Sequence, residues 1–150
     1  MALWIETKVR FDKTMENGKV KKVTEPYLVD ALSFTEAEAR IIEEVTPFIS
    51  SDFKVSAVKK TNIAEIFRVD SGDKWYKVKV AFITIDEKSA AEKRKASYIL
   101  VQASDFKSAY DNFMDGMKGT MADFEIVAIT ETALMDVYAA KLESKDADKA

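Results

Sequence analysis

The sequence predicts an α+β protein made of two similar halves, each with the order β-β-α-β-β, and three observations predict it. The segment WIETKVRF at Trp4 returns as WYKVKVAF at Trp75, which is 71 residues later. The segment FKVSAVKKTNIAEIF at Phe53 returns as FEIVAITETALMDVY at Phe124, at the same spacing. Between these anchors, each half has one apolar pattern of helical period. We therefore expect an internal duplication with antiparallel sheets, two helices and a pseudo-twofold relation.

The first two strands of each half follow from alternation and composition. They alternate apolar and polar residues or are rich in β-branched residues and tyrosine. Their predicted bounds are 4–12 and 20–31 in the first half, and 75–84 and 96–103 in the second. Asn17-Gly18 predicts a tight hairpin turn, because both residues tolerate positive φ. In the second half we expect a longer exposed loop, DEKSAAEKR. At the spacing of 71, Tyr27 matches Tyr98.

One helix follows the second strand in each half. Ser33 with Glu36 has the pattern of a capping box, and Pro47 predicts an end near Val45. In the second half, Ser104 or Asp105 is the expected cap, and Gly116 or Gly119 the expected end. Each helix has one predicted apolar face. These faces contain Phe34, Ala37, Ile41, Val45 and Phe48, and then Phe106, Ala109, Tyr110, Phe113, Met114 and Met117.

A third strand and a short fourth strand complete each half. We expect a single duplicated domain over 1–139, with repeats at about 3–69 and 74–139, and a polar, frayed tail at 140–150. One ββαββ unit of this size buries too little apolar surface to be more than marginally stable alone. Each half is therefore expected to complete the core of the other.

Composition excludes several kinds of chemistry. The 150 residues include no Cys and no His, and the net charge is −3. Thiolate metal sites and His-dependent catalysis are therefore excluded, and no P-loop or dinucleotide fingerprint is present. We expect a non-enzymatic binding protein without cofactor or metal. The chain start lacks the pattern of a signal peptide and no apolar run is long enough to span a bilayer, so we expect a cytoplasmic protein without a membrane partner.

Two long segments resemble a known family. These are KKVTEPYLVDALSFTEAEARIIEEV, from Lys21 to Val45, and MKGTMADFEIVAITETALMDVY, from Met117 to Tyr138. They are similar to short uncharacterised proteins of bacteroidetes and their phages or mobile elements, a family without an assigned activity. The resemblance implies a bacterial or phage setting and supplies no functional residues.

The side of the first strands that faces away from the predicted core is the candidate site. Strand alternation places one tryptophan and two basic residues on this side in each half. They are Trp4, Lys8 and Arg10, and Trp75, Lys77 and Lys79. The surrounding hairpins are basic, with six basic and two acidic residues from Lys8 to Lys22. Because cations neutralise phosphates and exposed aromatics stack on unpaired bases, this pattern favours single-stranded nucleic acid.

Other interpretations remain open. From Phe53 to Met117 the order of four strands and a helix is similar to that of the Pur and Whirly single-strand binders, which implies the same ligand by fold analogy. In another interpretation, the lysines only keep an exposed strand soluble and prevent edge pairing. Both tryptophans would then be packed against the other repeat. The alternative function is a protein-interaction or regulatory module that acts as a homodimer, with the tryptophans as anchors. A more distant alternative is a small-ligand site between the repeats.

Overall fold

The structure, a computed structural model, describes residues 3–139, and these form eight strands and two helices. In chain order the elements are β1 (Leu3–Thr14), β2 (Val20–Ala31), α1 (Phe34–Val45), β3 (Phe53–Lys60), β4 (Ile63–Phe67), β5 (Lys74–Ile85), β6 (Glu92–Ala103), α2 (Phe106–Gly116), β7 (Asp123–Glu131) and β8 (Asp136–Tyr138). The α+β class and the order of elements are as predicted. The predicted tail at 140–150 lies outside the described residues.

Two four-stranded sheets are present, and both are mixed. Their strand orders are β3-β1-β2-β8 and β4-β6-β5-β7. The long hairpins β1–β2 and β5–β6 are antiparallel, whereas β8 runs parallel to β2 and β4 runs parallel to β6. The expectation of antiparallel sheets is therefore wrong for the short fourth strands. The analogy to the Pur and Whirly proteins also fails, because β3 lies in a different sheet from β4 to β6.

The short link between β3 and β4 explains this exchange. From Lys60 to Ile63 there are only three Cα steps, which span at most about 11 Å. The position beside β2, which a fourth strand of this sheet must occupy, is three strand spacings from β3, or about 14 Å. The link is therefore too short for β4 to complete its own sheet, and β4 pairs with β6 instead.

Two compact units result, and each has its own sheet and helix. Unit 1 contains β1, β2, α1, β3 and β8, and unit 2 contains β4 to β7 with α2. The chain leaves unit 1 after Thr61 and re-enters it at Leu134. Strand β4 thus belongs to unit 2 in the structure, although in the sequence it is the last strand of the first half.

In unit 1, α1 packs on one face of the sheet. The Ser33 hydroxyl accepts a hydrogen bond from the amide of Glu36 at 3.1 Å, and the helix ends at Val45, as predicted. The core consists of alternate residues of β1 and β2 and of helix residues four apart. It includes Ile5, Val9, Tyr27, Val29, Ala37, Ile41 and Val45. Phe34 and Phe48 were expected on the buried face but are 50% and 79% exposed.

In unit 2, α2 packs in the same way. Asp105 accepts from the amide of Ser108 at 2.8 Å, and the Ser108 hydroxyl accepts from the amide of Asp105, which completes a capping box. The hydrogen bond from the Ser108 amide, with a further contribution from the Ser108 side chain, lowers the pKa of Asp105. Ala109, Phe113 and Met117 are buried at four-residue spacing. The prediction that the other residues of the apolar face of α2 are buried is wrong. Phe106, Tyr110 and Met114 form an exposed row that is rotated away from the sheet.

The two units share their strand register in detail. A β-bulge interrupts the β1–β3 pairing between Lys8 and Val9, and another interrupts the β5–β7 pairing between Lys79 and Val80. The first strands of the two units correspond at a spacing of 71 residues and the second strands at a spacing of 72, so one extra residue lies between them in unit 2. Tyr27 lies opposite Thr7, as Ile99 lies opposite Val78, so Tyr27 corresponds to Ile99. The predicted match of Tyr27 with Tyr98 is therefore wrong. The loop of the second hairpin is also shorter than predicted, since β6 begins at Glu92.

Candidate nucleic-acid interface

The six predicted site residues lie on the sheet face opposite the helices, but they differ in exposure. Arg10 is exposed, and Trp4, Lys8, Lys77 and Lys79 are half-buried. Trp75 is buried, with 3% of its surface exposed. The expectation of an accessible Trp-bearing face is therefore wrong for Trp75.

Trp75 has local contacts within unit 2. The Arg68 guanidinium lies over its indole ring, 5.8 Å from the centroid. Gln102, directly opposite Trp75 on β6, donates to the carbonyl of Gly72 at 3.0 Å and accepts from the amide of Val69 at 3.0 Å. The segment before β5 is thus fixed at this end of the sheet. Stacking on a base would require the buried indole to leave this position.

Both tryptophans also have a backbone role. The carbonyl of Trp4 accepts from the amide and the hydroxyl of Thr61, at 3.1 and 2.7 Å. The carbonyl of Trp75 accepts from the same two groups of Thr132, at 2.9 and 2.8 Å. The recurrence of Thr at a spacing of 71 therefore has a structural explanation, since each threonine fixes the end of an edge strand, whereas a carbonyl acceptor does not require tryptophan.

A cluster of cations in unit 1 forms the most basic part of the described site. Arg10 on β1 lies directly opposite Lys54 on β3, so their side chains share one face of the sheet. Lys22 on β2 lies directly opposite Asp12 of β1, so its side chain is on the same face and next to the other two. We call Arg10, Lys22 and Lys54 the basic cluster. All three are exposed, and they line an open cavity of about 330 Å³ together with Phe11, Asp12, Asp52 and Phe53.

The equivalent positions in unit 2 have different chemistry. At a spacing of 71 or 72 residues, Ala81, Glu125 and Arg94 correspond to Arg10, Lys54 and Lys22. Ala81 is only 5% exposed. Arg94 and Glu125 form an ion pair at 2.7 Å, and this contact lowers the pKa of Glu125 and raises that of Arg94. The same framework therefore presents a neutralised pair in unit 2, whereas unit 1 presents three cations, with Asp12 and Asp52 in the same cavity.

The basic residues predicted in unit 2 have a further constraint. The Lys77 ammonium lies 4.8 Å from the ring centroid of Tyr98, an arrangement typical of a cation–π contact. Lys77 and Lys79 are both half-buried on the face that also contains buried Leu100. They are less available to a phosphate than the exposed cluster of unit 1.

Sequence reasoning found Arg10 but missed Lys22 and Lys54. Lys22 belongs to the basic hairpin, and its pairing with Asp12 follows once the hairpin register is known. Lys54 could not be found in this way. Its position beside Arg10 depends on β3 pairing with β1, a contact between residues 44 positions apart in the chain.

An exposed aromatic side chain lies at the same end of the sheet as the basic cluster, on the side that α1 covers. Phe48, which follows α1, lines a second open cavity of about 420 Å³. This cavity shares Phe11 and Asp12 with the first one. The Phe48 ring is available to solvent, unlike that of Trp75, but the sheet separates it from the three cations.

Other kinds of site are not formed by the described part of the chain. Residues 3–139 contain no group of three acidic side chains placed to hold a metal ion. Asp111 and Asp115 are instead paired with Lys107 and Lys118, at 3.2 and 3.0 Å. Within the same range, neither helix has the length and the apolar composition needed to cross a membrane.

The comparison with known protein families agrees with the resemblance described above. No curated protein and no solved structure matches the chain. The model of one family, described as a domain of unknown function (DUF4494), matches residues 3–140. The bacterial or phage setting stays a prediction. Because the match covers nearly the whole chain, the protein belongs to the DUF4494 family.

Proposed function

We propose that this protein binds nucleic acid, nominally single-stranded, through the basic cluster of unit 1, as a non-enzymatic protein of the cytoplasm. The proposal keeps Lys8 and Arg10 from the sequence prediction and adds Lys22 and Lys54. It assigns Trp75, Lys77 and Lys79 mainly to the stability of unit 2. Trp4 lies at the opposite end of β1 from the cluster and has no part in the contact.

The pairing of Arg10 with Lys54 is the observation that supports this function. Like charges directly opposite each other on neighbouring strands destabilise a sheet. Unit 2 avoids this arrangement at the same positions, where Glu125 pairs with Arg94. A bound phosphate would neutralise the repulsion in unit 1, so an anionic ligand gives the arrangement a reason that folding alone does not.

A single strand fits this surface better than an isolated anion. Lys8 lies two residues before Arg10 on the same face of β1, which extends the positive charge along the strand. The exposed ring of Phe48 lies on the helix side, in a cavity that shares Phe11 and Asp12 with that of the cluster, and a strand that passes around this end of the sheet would reach it. Cations that follow a phosphate backbone, with a ring for a base, are the usual elements of single-strand recognition.

Charge reversal of the opposed pair tests this proposal. We expect Arg10→Glu with Lys54→Glu to lower the affinity for a labelled single-stranded oligonucleotide by about tenfold or more, because two phosphate contacts become repulsive. Fluorescence anisotropy at low salt, with DNA and RNA oligonucleotides, gives the affinity. The matched control is Lys77→Glu with Lys79→Glu, an equal charge change on unit 2, for which we expect a much smaller loss.

Two results would contradict the proposal. One is that the wild-type protein fails to bind any of the oligonucleotides at low salt. The other is that the unit 2 control loses as much affinity as the unit 1 variant, which would indicate a response to net charge without a specific surface. Circular dichroism of both variants confirms that a loss of affinity does not come from unfolding.

We also propose that the two units descend from a duplicated ββαββ segment. The equivalent bulges and the equivalent Thr–Trp hydrogen bonds support this origin. The exchanged strands β4 and β8 hold the equivalent positions in the two sheets. In this view one copy kept or acquired the basic cluster, and the other copy became a structural partner.

A further inference from the structure

The outer strands β3 and β7 occupy equivalent edges of the two sheets. Each is hydrogen-bonded on one side only, to β1 and to β5, and no strand within residues 3–139 lies beyond either of them. Such an edge presents unpaired amide and carbonyl groups, and another strand can pair with them.

These two edges have opposite charge. Strand β3 contains three lysines and no acidic residue, whereas β7 contains three acidic residues and no basic one. The charged residues are Lys54, Lys59 and Lys60 on β3, and Asp123, Glu125 and Glu131 on β7. Of these, Lys59 pairs with Glu6 at 3.8 Å and Glu125 pairs with Arg94 at 2.7 Å. Lys60, Asp123 and Glu131 are exposed, and the described residues provide no ion pair for them.

We propose that β3 of one molecule pairs with β7 of a second copy of this chain. Pairing of β3 with β3, or of β7 with β7, would place like charges together and would be disfavoured. Pairing of β3 with β7 places lysines beside carboxylates in either strand direction. The charges therefore disfavour both symmetric pairings and favour the unlike one.

An interface of this kind joins two different surfaces, so it leaves one free β3 and one free β7 in every pair. Such heterologous contacts continue until they close a ring or form an open filament. Each edge also has a bulged residue, Ser56 on β3 and Val127 on β7, which shortens the regular part of the strand. We therefore expect concentration-dependent association that weakens at high salt, and not a stable symmetric dimer.

Complementary charge reversal tests the pairing. One variant carries Lys59→Glu and Lys60→Glu, and the other carries Asp123→Lys and Glu131→Lys. In sedimentation velocity, the wild-type protein should show a sedimentation coefficient that rises with concentration, and each variant alone should stay monomeric. An equimolar mixture of the two variants should associate again, because each acidic edge then meets a basic one. Unfolding or local damage cannot produce this recovery.

The matched control is Lys19→Glu with Lys88→Glu, which changes two exposed lysines outside β3 and should associate like the wild type. The inference fails if the wild-type protein is monomeric at all concentrations, or if the mixed variants do not associate. Lys54 belongs both to the β3 edge and to the basic cluster, so sedimentation is measured without oligonucleotide, and Arg10, Lys22 and Lys54 are unchanged in all these variants. Retention of oligonucleotide binding by a monomeric variant would separate the two.

Discussion

Unit 1 and unit 2 share one backbone plan and differ in the chemistry placed on it. Both have a bulge at the same point of the edge strand, a helix buried through residues four apart, and a threonine bound to a tryptophan carbonyl. The differences are in side chains. Unit 1 has cations where unit 2 has a neutralised ion pair. The plan is thus fixed by backbone hydrogen bonding and packing, and the exposed positions are where the units diverge.

The interiors differ in a similar way. Unit 1 has hydroxyl groups at three core positions where unit 2 has apolar side chains: Thr7, Tyr27 and Tyr138 stand in place of Val78, Ile99 and Phe67. The Thr7 hydroxyl donates to the Tyr27 carbonyl at 3.3 Å, and the Tyr27 hydroxyl donates to Glu25 at 3.2 Å. The two tyrosine rings stack at 6.0 Å. Unit 2 instead packs the rings of Phe67, Phe113 and Phe124.

The largest change in the free energy of unfolding is expected from a substitution at Gly116 of α2. A Cβ at this position would lie 2.5 Å from the ring of Phe67, which is packed against Phe113. Gly116→Ala should therefore destabilise the protein by about 1–3 kcal/mol, as overpacking does, although alanine favours helix. Urea unfolding measures the change. In a Phe67→Leu background the same substitution should cost less, and an equal cost in both backgrounds would contradict the contact.

A smaller effect is expected at the helix caps, where the units use different residues. Ser33→Ala removes the cap of α1 and should cost about 1 kcal/mol. Asp105 caps α2 with a lowered pKa. Its contribution is present above the carboxyl's unfolded pKa and is lost as pH falls through the lower folded value. Urea unfolding at neutral and acidic pH should show that Asp105→Asn weakens this acid dependence while Ser33→Asp strengthens it, and unchanged profiles would count against these assignments.

The smallest effect at neutral pH is expected from the tyrosines of unit 1. Burial raises the pKa of Tyr138 to about 12 and raises that of Tyr27 further, with Glu25 adding to the latter. Since both values exceed the ordinary 10.0, this contribution to stability is complete below pH 10 and is lost as pH rises through the folded-state values. Tyr27→Phe with Tyr138→Phe should weaken the loss of stability above pH 10 in denaturant titrations. If the alkaline profile is unchanged, the tyrosines are not its cause.

The elements were predictable from the sequence, because each depends on local patterns. Alternation places Val9 and Val78 on the core side, and the pattern at Ser33 gives the start of α1. The exchange of β4 and β8 was not predicted, since it depends on how far a two-residue link can reach between strands. The exposed sides of the helices were also missed. Phe106 and Tyr110 are apolar enough to read as core, and only the three-dimensional fit to the sheet shows that they are not.

The candidate site was predictable in part. Arg10 and Lys8 follow from strand alternation next to a basic hairpin. The pairing that distinguishes unit 1 from unit 2 involves Lys54, and no local pattern connects it to Arg10. Trp4 and Trp75 look equivalent in the sequence because a strand pattern separates two faces but does not tell which parts of a face are covered. Trp75 is buried with Arg68 over its ring, whereas Trp4 is half-buried.

The most direct test of the central claim gives unit 1 the residues of unit 2. Arg10→Ala with Lys54→Glu replaces the opposed cations by the pair found at Ala81 and Glu125. The measurement is the affinity for single-stranded DNA at several salt concentrations. We predict weaker binding and a slope of log affinity against log salt that is shallower by about 1.4, for two lost phosphate contacts. An unchanged affinity and slope would contradict the claim that unit 1 binds nucleic acid through this cluster.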